Sequence, residues 1–338
     1  MTTAVGTRLH AVTPPQSSSE PPLHTAPVVA QVDRSGFLES VHHGIIATVA
    51  PGGELTHAVG PVDSPIFPRS SNKPLQTLAM LRHGLDLPGP LLALASASHN
   101  GEVFHLDGVR EILASAGLTE EALQNTPDRP IYEPERERWI AAGQGPVSLA
   151  QNCSGKHAAM LATCVVNGWD TTTYRDPEHP LQRAMAQTLA ELSGEDVAAT
   201  GIDGCGAPVL AISTAGLARA FGRLAAAAPD TPEGRVARAI RQHPEFLGGT
   251  GRDVTDLIRA VPGLIAKDGA EAVYAIGLSD GTGIALKITD GNQRARTVVA
   301  AEALRAVGVT EDLSALDADP VLGHGAPVGT ISALPLGR

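Results

Sequence analysis

The sequence predicts an α+β fold in which one antiparallel sheet carries packed helices. The prediction rests on a strand–turn–strand signature near each end of the chain and on a series of helical segments between them. Near the start, GFLESVHHGIIATVA over 36–50 is followed by PGGE and then LTHAVG, which reads as two strands joined by a Pro-Gly-Gly turn. Near the end, AVYAIGL (272–278), SDGTG and GIALKITD (283–290) read as a second hairpin. Helical patterns occupy 74–84, 104–116, 156–166, 180–193, 212–227 and 232–242. The last of these has Thr231 as its N-cap and Pro232 at the first helical position. RARTVVAAEALRAVG, after the second hairpin, reads as a further helix, whereas PLLALASA (90–97) reads as a buried, strand-like run. The terminal hairpins are expected to join in one sheet, with the helices packed on it or forming a second lobe. No internal repeat or interdomain linker interrupts the chain.

Composition narrows the function. The 338 residues are 43% apolar, enough for a sizeable core. Aromatic residues make up only 3%, which leaves few platforms for stacking bases. The net charge of −11, with no basic run, disfavours nucleic acid and anionic membrane as partners but says nothing against a small polar substrate. Three separated cysteines, Cys153, Cys164 and Cys205, do not make a disulfide framework and fit a reducing compartment. No secretory signal or membrane span is read from the sequence, so a cytoplasmic protein is expected. Residues 1–26, containing TPPQSSSEPP, are expected to be a flexible, dispensable tail, with residues 27–338 forming a single catalytic domain and ordered structure beginning near Val28.

Four clusters carry chemistry. In Arg69-Ser70-Ser71-Asn72-Lys73-Pro74, Ser70 and Lys73 stand three apart, on one face of a helical turn. A serine needs a base to become a nucleophile, and a lysine whose pKa is depressed by burial can be that base. Pro74 disfavours helical backbone at Lys73, so the helix is expected to start late. The second cluster is Ser98-His99-Asn100-Gly101. The third is Lys267-Asp268-Gly269, where the glycine lets the backbone approach a ligand closely. Alone, the first reads as an N-cap serine with a solvated lysine, and the other two as ordinary turns. Together they follow the S-x-x-K, S-x-N, K-x-G order of penicillin-binding proteins and class A β-lactamases, although Ser98 follows Ser70 by only 28 positions. The fourth cluster pairs Asn152-Cys153-Ser154-Gly155-Lys156-His157 with Gly201-Ile202-Asp203-Gly204-Cys205-Gly206. Cys153 and Cys205 could bind zinc, completed by His157, which spacing favours, or by Lys156. Alternatively, Cys153 is a nucleophile activated at a helix N-terminus. Cys164, within MLATCVV, reads as a buried structural cysteine.

RSSNKPLQ, ASASHNGEVFH, NCSGKHAAML, GIDGCGAP and the Lys267 segment, in this order, resemble the Rhizobium etli-type (class 3) L-asparaginases. RSGFLESVHHG and GHGAPVGTIS extend the likeness from about residue 30 to about residue 333. The resemblance implies a serine-β-lactamase-like fold, a homodimer, and hydrolysis of L-asparagine to aspartate and ammonia. It implies two Ser–Lys pairs, Ser70–Lys73 and Ser98–Lys267, and one zinc ion per chain at Cys153, Lys156 and Cys205, with Arg69, His157 and Asp203 around the substrate. Asn100 departs from the small residue expected there. Two other readings stand beside this one: a penicillin-recognising hydrolase or esterase, and a non-catalytic zinc-binding amino-acid sensor.

Overall fold

The computed structural model describes residues 23–314 and 316–336. The expected tail lies mostly outside the described residues. Its last part is described: Leu23–Thr25 forms a 3-10 turn and Ala26 is buried.

The chain opens with β1 (Val28–Arg34), β2 (Phe37–Val49), β3 (Leu55–Val59) and the short β4 (Pro65–Ile66). Six helices follow: α1 (Lys73–Arg82), α2 (Gly89–Ala95), α3 (Val103–Ser115), α4 (Glu133–Ala141), α5 (Ser154–Asn167) and α6 (Pro180–Ser193). Next come β5 (Ala199–Ile202), β6 (Pro208–Ser213), α7 (Thr214–Ala225), α8 (Pro232–Gln242), α9 (Pro244–Leu247) and α10 (Asp253–Ala260). The chain closes with β7 (Ile265–Gly269), β8 (Val273–Gly277), β9 (Gly283–Ile288), α11 (Arg296–Ala306), β10 (Ala318–Gly323) and β11 (Ala326–Ala333).

The fold is α+β, and the two terminal hairpins do share one antiparallel sheet. Its order is β10-β11-β1-β2-β9-β8-β7, with β3 also on β2. The long β2 joins the halves: residues 37–43 pair with β1, and Gly44–Val49 pair with β9. Every position of β7, β8 and β9 is buried, so both sheet faces are covered. α7 packs on β2, β8 and β9, and α11 on β9 and β11. The α7 contact is close: a Cβ on Gly283 would lie 2.0 Å from the Ala218 carbonyl oxygen. β4, β6 and β5 form a separate three-stranded sheet, which the sequence reading missed. Among the described residues, no helix is long and apolar enough to cross a membrane.

Two sequence expectations need correction. Most of PLLALASA is helical, within α2 (Gly89–Ala95), because Pro90 lies in its first turn and Leu and Ala sustain it. It is buried along most of its length, so its sequence shows no amphipathic period. The helix expected over 212–227 begins only at Thr214: Ile212 and Ser213 end β6, and the Ser213 hydroxyl caps α7 by accepting from Gly216 N at 2.8 Å. Thr231 caps α8 as expected, its Oγ1 accepting from Gly234 N at 3.1 Å. Thr231→Ala should lower stability by about 1 kcal/mol, read as a shifted denaturation midpoint with an unchanged m-value. An unchanged midpoint would remove the cap from the account.

Candidate functional site

Ser70 lies in a 3-10 turn, Arg69–Asn72, that runs directly into α1. Lys73 is helical (φ −58°, ψ −38°) despite the proline after it, because Pro74 occupies the first turn of α1, where no N–H is required. Arg69 enters the turn with φ +53°, a left-handed conformation rare outside glycine. An ion pair with Asp203 at 2.7 Å holds its side chain. The turn docks on the open edge of β7. Ser71 Oγ donates to the Lys267 carbonyl at 3.1 Å, and a Cβ on Gly269 would lie 2.7 Å from both Pro68 O and Ser71 Oγ. The glycine expected to admit a ligand therefore admits the protein's own serine turn.

Lys73 is 1% exposed, and its amine meets three acceptors: Ala97 O at 2.5 Å, Ser98 Oγ at 3.1 Å and Cys153 Sγ at 3.1 Å. Its hydroxyl partner is thus Ser98, not the Ser70 of the implied pair. α1 carries the side chain away from the turn toward the loop that ends α2. Ser70 is half-buried, and its hydroxyl makes no hydrogen bond among the described residues. The Ser98–Gly101 loop is pinned by backbone bonds: Ser98 N to Leu247 O, His99 N to Asn152 O and Asn100 N to Gly248 O. His99 Nε2 lies 2.8 Å from Ser154 Oγ, and burial together with the nearby His105, Lys73 and Arg252 holds its pKa well below the usual value.

Cys153, Lys156 and Cys205 converge. α5 places Cys153 at its N-cap and Lys156 in its first turn, and the hairpin loop between β5 and β6 delivers Cys205. The Lys156 amine donates to Cys205 Sγ at 3.2 Å. A hydrogen bond from Cys153 and the Lys156 charge push the Cys205 thiol down to about 4 against burial. The same hydrogen bond, with burial, pushes Cys153 up to about 12, which argues against Cys153 as an activated nucleophile. Burial opposes the Lys156 ammonium, but Cys205, Cys153 and Asp203 outweigh it and raise its pKa. Two sulfurs and an amine at one buried point are a donor set that suits zinc, each ligand shedding its proton on binding. His157 does not join them: its Nδ1 lies 2.7 Å from the Tyr174 hydroxyl. Among the described residues no group of three His, Cys, Asp or Glu could hold a metal. Cys164 is fully buried in the middle of α5.

Lys267, expected to pair with Ser98, bonds instead to Asp268: its Nζ donates to Oδ1 at 2.5 Å and to the main-chain oxygen at 2.7 Å. Asp268 went unread in the sequence, as did Gln151 and Asn125. Gln151 Oε1 accepts from Cys153 N at 3.0 Å and from Asn125 Nδ2 at 2.9 Å, fixing the start of α5. A further signal was available. The chain has only four lysines, Lys73, Lys156, Lys267 and Lys287, and all are buried, leaving arginine to supply the surface cations. In such a chain, a lysine within a motif stands out.

The family model described as L-asparaginase II matches residues 30–333. No curated protein matches the chain. Among solved structures the chain is similar to a beta-lactamase from Mycobacterium bovis, at 13% identity and TM-score 0.46, covering 79% of this chain and 95% of that one. It is also similar to Mglu in its native form, at 16% identity and TM-score 0.35; the match takes in 79% of this chain but spans only 61% of the Mglu chain. EstCE1, a hydrolase with promiscuous acyltransferase activity, is similar at 12% identity and TM-score 0.38, covering 74% of this chain and 90% of that one.

Proposed function

The chain belongs to the L-asparaginase II family, and from that premise we propose that it hydrolyses the side-chain amide of L-asparagine to aspartate and ammonia through an acyl-serine intermediate. The observation that carries the reading is the Lys73 amine, 1% exposed, bonded to Ser98 Oγ at 3.1 Å, three residues after a half-buried serine on the same turn. Ser70 attacks the amide carbon and its proton passes toward the Lys73 amine, with Ser98 relaying protons between that amine and the leaving nitrogen. The C–N bond breaks and ammonia leaves. Water then attacks the β-aspartyl ester, its C–O bond breaks, and the Ser70 hydroxyl is restored. Arg69, Asp203 and His157 are proposed to face the substrate.

One observation favours a second reading in which Ser98 is acylated: Ser98, not Ser70, touches Lys73. Quenching the protein in acid during turnover and mapping its peptides by mass decides between them. An aspartyl adduct on the 69–73 turn supports the first reading; an adduct confined to Ser98 replaces it with the second.

We further propose that Cys153, Lys156 and Cys205 hold one zinc ion per chain. Bound there, the metal would act as a Lewis acid and an anchor for a substrate polar group. Elemental analysis should find about one zinc per chain, lost in Cys153→Ala and Cys205→Ala and kept in Cys164→Ala. Zinc retained when both Cys153 and Cys205 are replaced would place it elsewhere.

A further inference from the structure

β7 is an edge strand of the large sheet, yet its central residues Lys267 and Asp268 are 0% and 5% exposed. A carboxylate buried this deeply requires cations, and Asp268 has three. Arg252, just before α10, donates from Nη2 to Oδ2 at 2.6 Å. Arg296, at the start of α11, brings Nη1 to 3.9 Å from the same oxygen. Lys267 takes Oδ1. Arg296 is itself fixed: Nη2 donates to Asp253 at 2.6 Å, Nη1 donates to Gly269 O at 3.3 Å, and the guanidinium lies 5.2 Å from the centre of the Tyr274 ring. Three separate segments thus fix one carboxylate, and the carboxylate fixes one amine.

We propose that Asp268, clamped by Arg252 and Arg296, is the positioning residue of Lys267: it anchors the amine on the strand against which the serine turn docks and supplies the counter-charge that decides whether the amine is protonated. The proposal rests on the asparagine-hydrolysing reading for its effect on turnover, and on geometry alone for its effect on the lysine. The groups facing Lys267 are Asp268 on its own strand, Lys73 from α1 and Arg252 from the segment before α10, with Arg296 acting through Asp268. Burial lowers the Lys267 pKa most, Asp268 opposes it, and Lys73 and Arg252 add to the lowering, leaving it at about 8. Removing the carboxylate and removing the arginine therefore act in opposite directions.

With only four lysines in the chain, protein labelled with ¹³C at the lysine ε-carbons gives four resolvable signals, and loss of one in Lys267→Met assigns Lys267. In Asp268→Asn its titration midpoint should fall by about one to three pH units, the usual effect of losing an adjacent opposite charge. In Arg252→Gln, which leaves Asp268 in place, the midpoint should rise. Asp268→Glu should return it toward the wild-type value. The limb of the kcat/KM pH profile that follows Lys267 should move with the midpoint in each variant. A midpoint unmoved in both Asp268→Asn and Arg252→Gln would reduce the cluster to a structural ion-pair network and overturn the proposal. Midpoints that move as stated in a protein that releases no ammonia from asparagine would uphold the positioning role while the asparaginase reading fails. If Asp268→Asn does not fold, Arg252→Gln alone decides by the direction of its shift.

Discussion

Lys73→Met is expected to lower asparagine turnover by about 10²–10⁴-fold, the range for loss of a positioned acid–base group, while the protein stays folded. Lys73 is the contact point of the site: its amine touches the Ser98 loop, the Ala97 carbonyl and the Cys153 thiol. Its stem is packed in the protein interior, and methionine keeps that volume while removing the three donated hydrogen bonds. Those carbonyl, hydroxyl and thiol groups lose a partner, so some loss of melting temperature is expected alongside the loss of rate. The loss is needed whichever serine is acylated, because both readings route a proton through this amine. Steady-state ammonia release, with circular dichroism to confirm folding, checks it. Turnover within a few fold of wild type in folded Lys73→Met protein would remove the lysine from the chemistry.

Ser70→Ala is expected to reduce turnover by about 10⁵–10⁶-fold, as removal of a nucleophile does elsewhere, and to leave stability nearly unchanged. The Ser70 hydroxyl is half-buried and makes no hydrogen bond among the described residues, so its removal orphans no partner. Ser98→Ala should be impaired less, by about the 10²–10⁴-fold of a lost proton relay. The two variants form a ranked pair: a catalytically intact Ser70→Ala beside an inactive Ser98→Ala reverses the assignment and agrees with the Lys73–Ser98 contact. Near-wild-type rates in both would end the serine mechanism.

Much of the fold was legible because its elements obey local rules. Pro180–Ser193 and Pro232–Gln242 begin with proline at the first position after a capping side chain, and each has an apolar face, so their limits could be read residue by residue. The Pro-Gly-Gly turn fixed the β2–β3 hairpin in the same way. α2 was not legible, since a helix buried along most of its length has no period to distinguish it from a strand. β7 was legible only as a lysine entering a late strand, because it is short and carries Lys267 and Asp268 near its centre, charges that taken alone read as a surface turn until burial shows otherwise.

The site divides along the same line. Clusters whose members come in two short motifs, such as Cys153 and Lys156 with Cys205, could be assembled from motif chemistry and family resemblance, and the fold brings these side chains together. Side-chain direction could not be assembled that way. The three-residue spacing put Ser70 and Lys73 on one face, yet the lysine stem runs on to the Ser98 loop, which only the packing of α1 against α2 decides. The Asp268 cluster was invisible for a different reason: Arg252, Asp268 and Arg296 come from three segments, and nothing local links their charges.

The most direct measurement is the reaction itself: zinc-replete wild-type protein incubated with L-asparagine, with ammonia and aspartate followed together, and glutamine and nitrocefin as parallel substrates. The account predicts equal amounts of ammonia and aspartate from asparagine, no turnover of nitrocefin, and loss of both products in Ser70→Ala and Lys73→Met. Absence of ammonia from asparagine in folded wild-type protein, or its undiminished release by Lys73→Met, would contradict it.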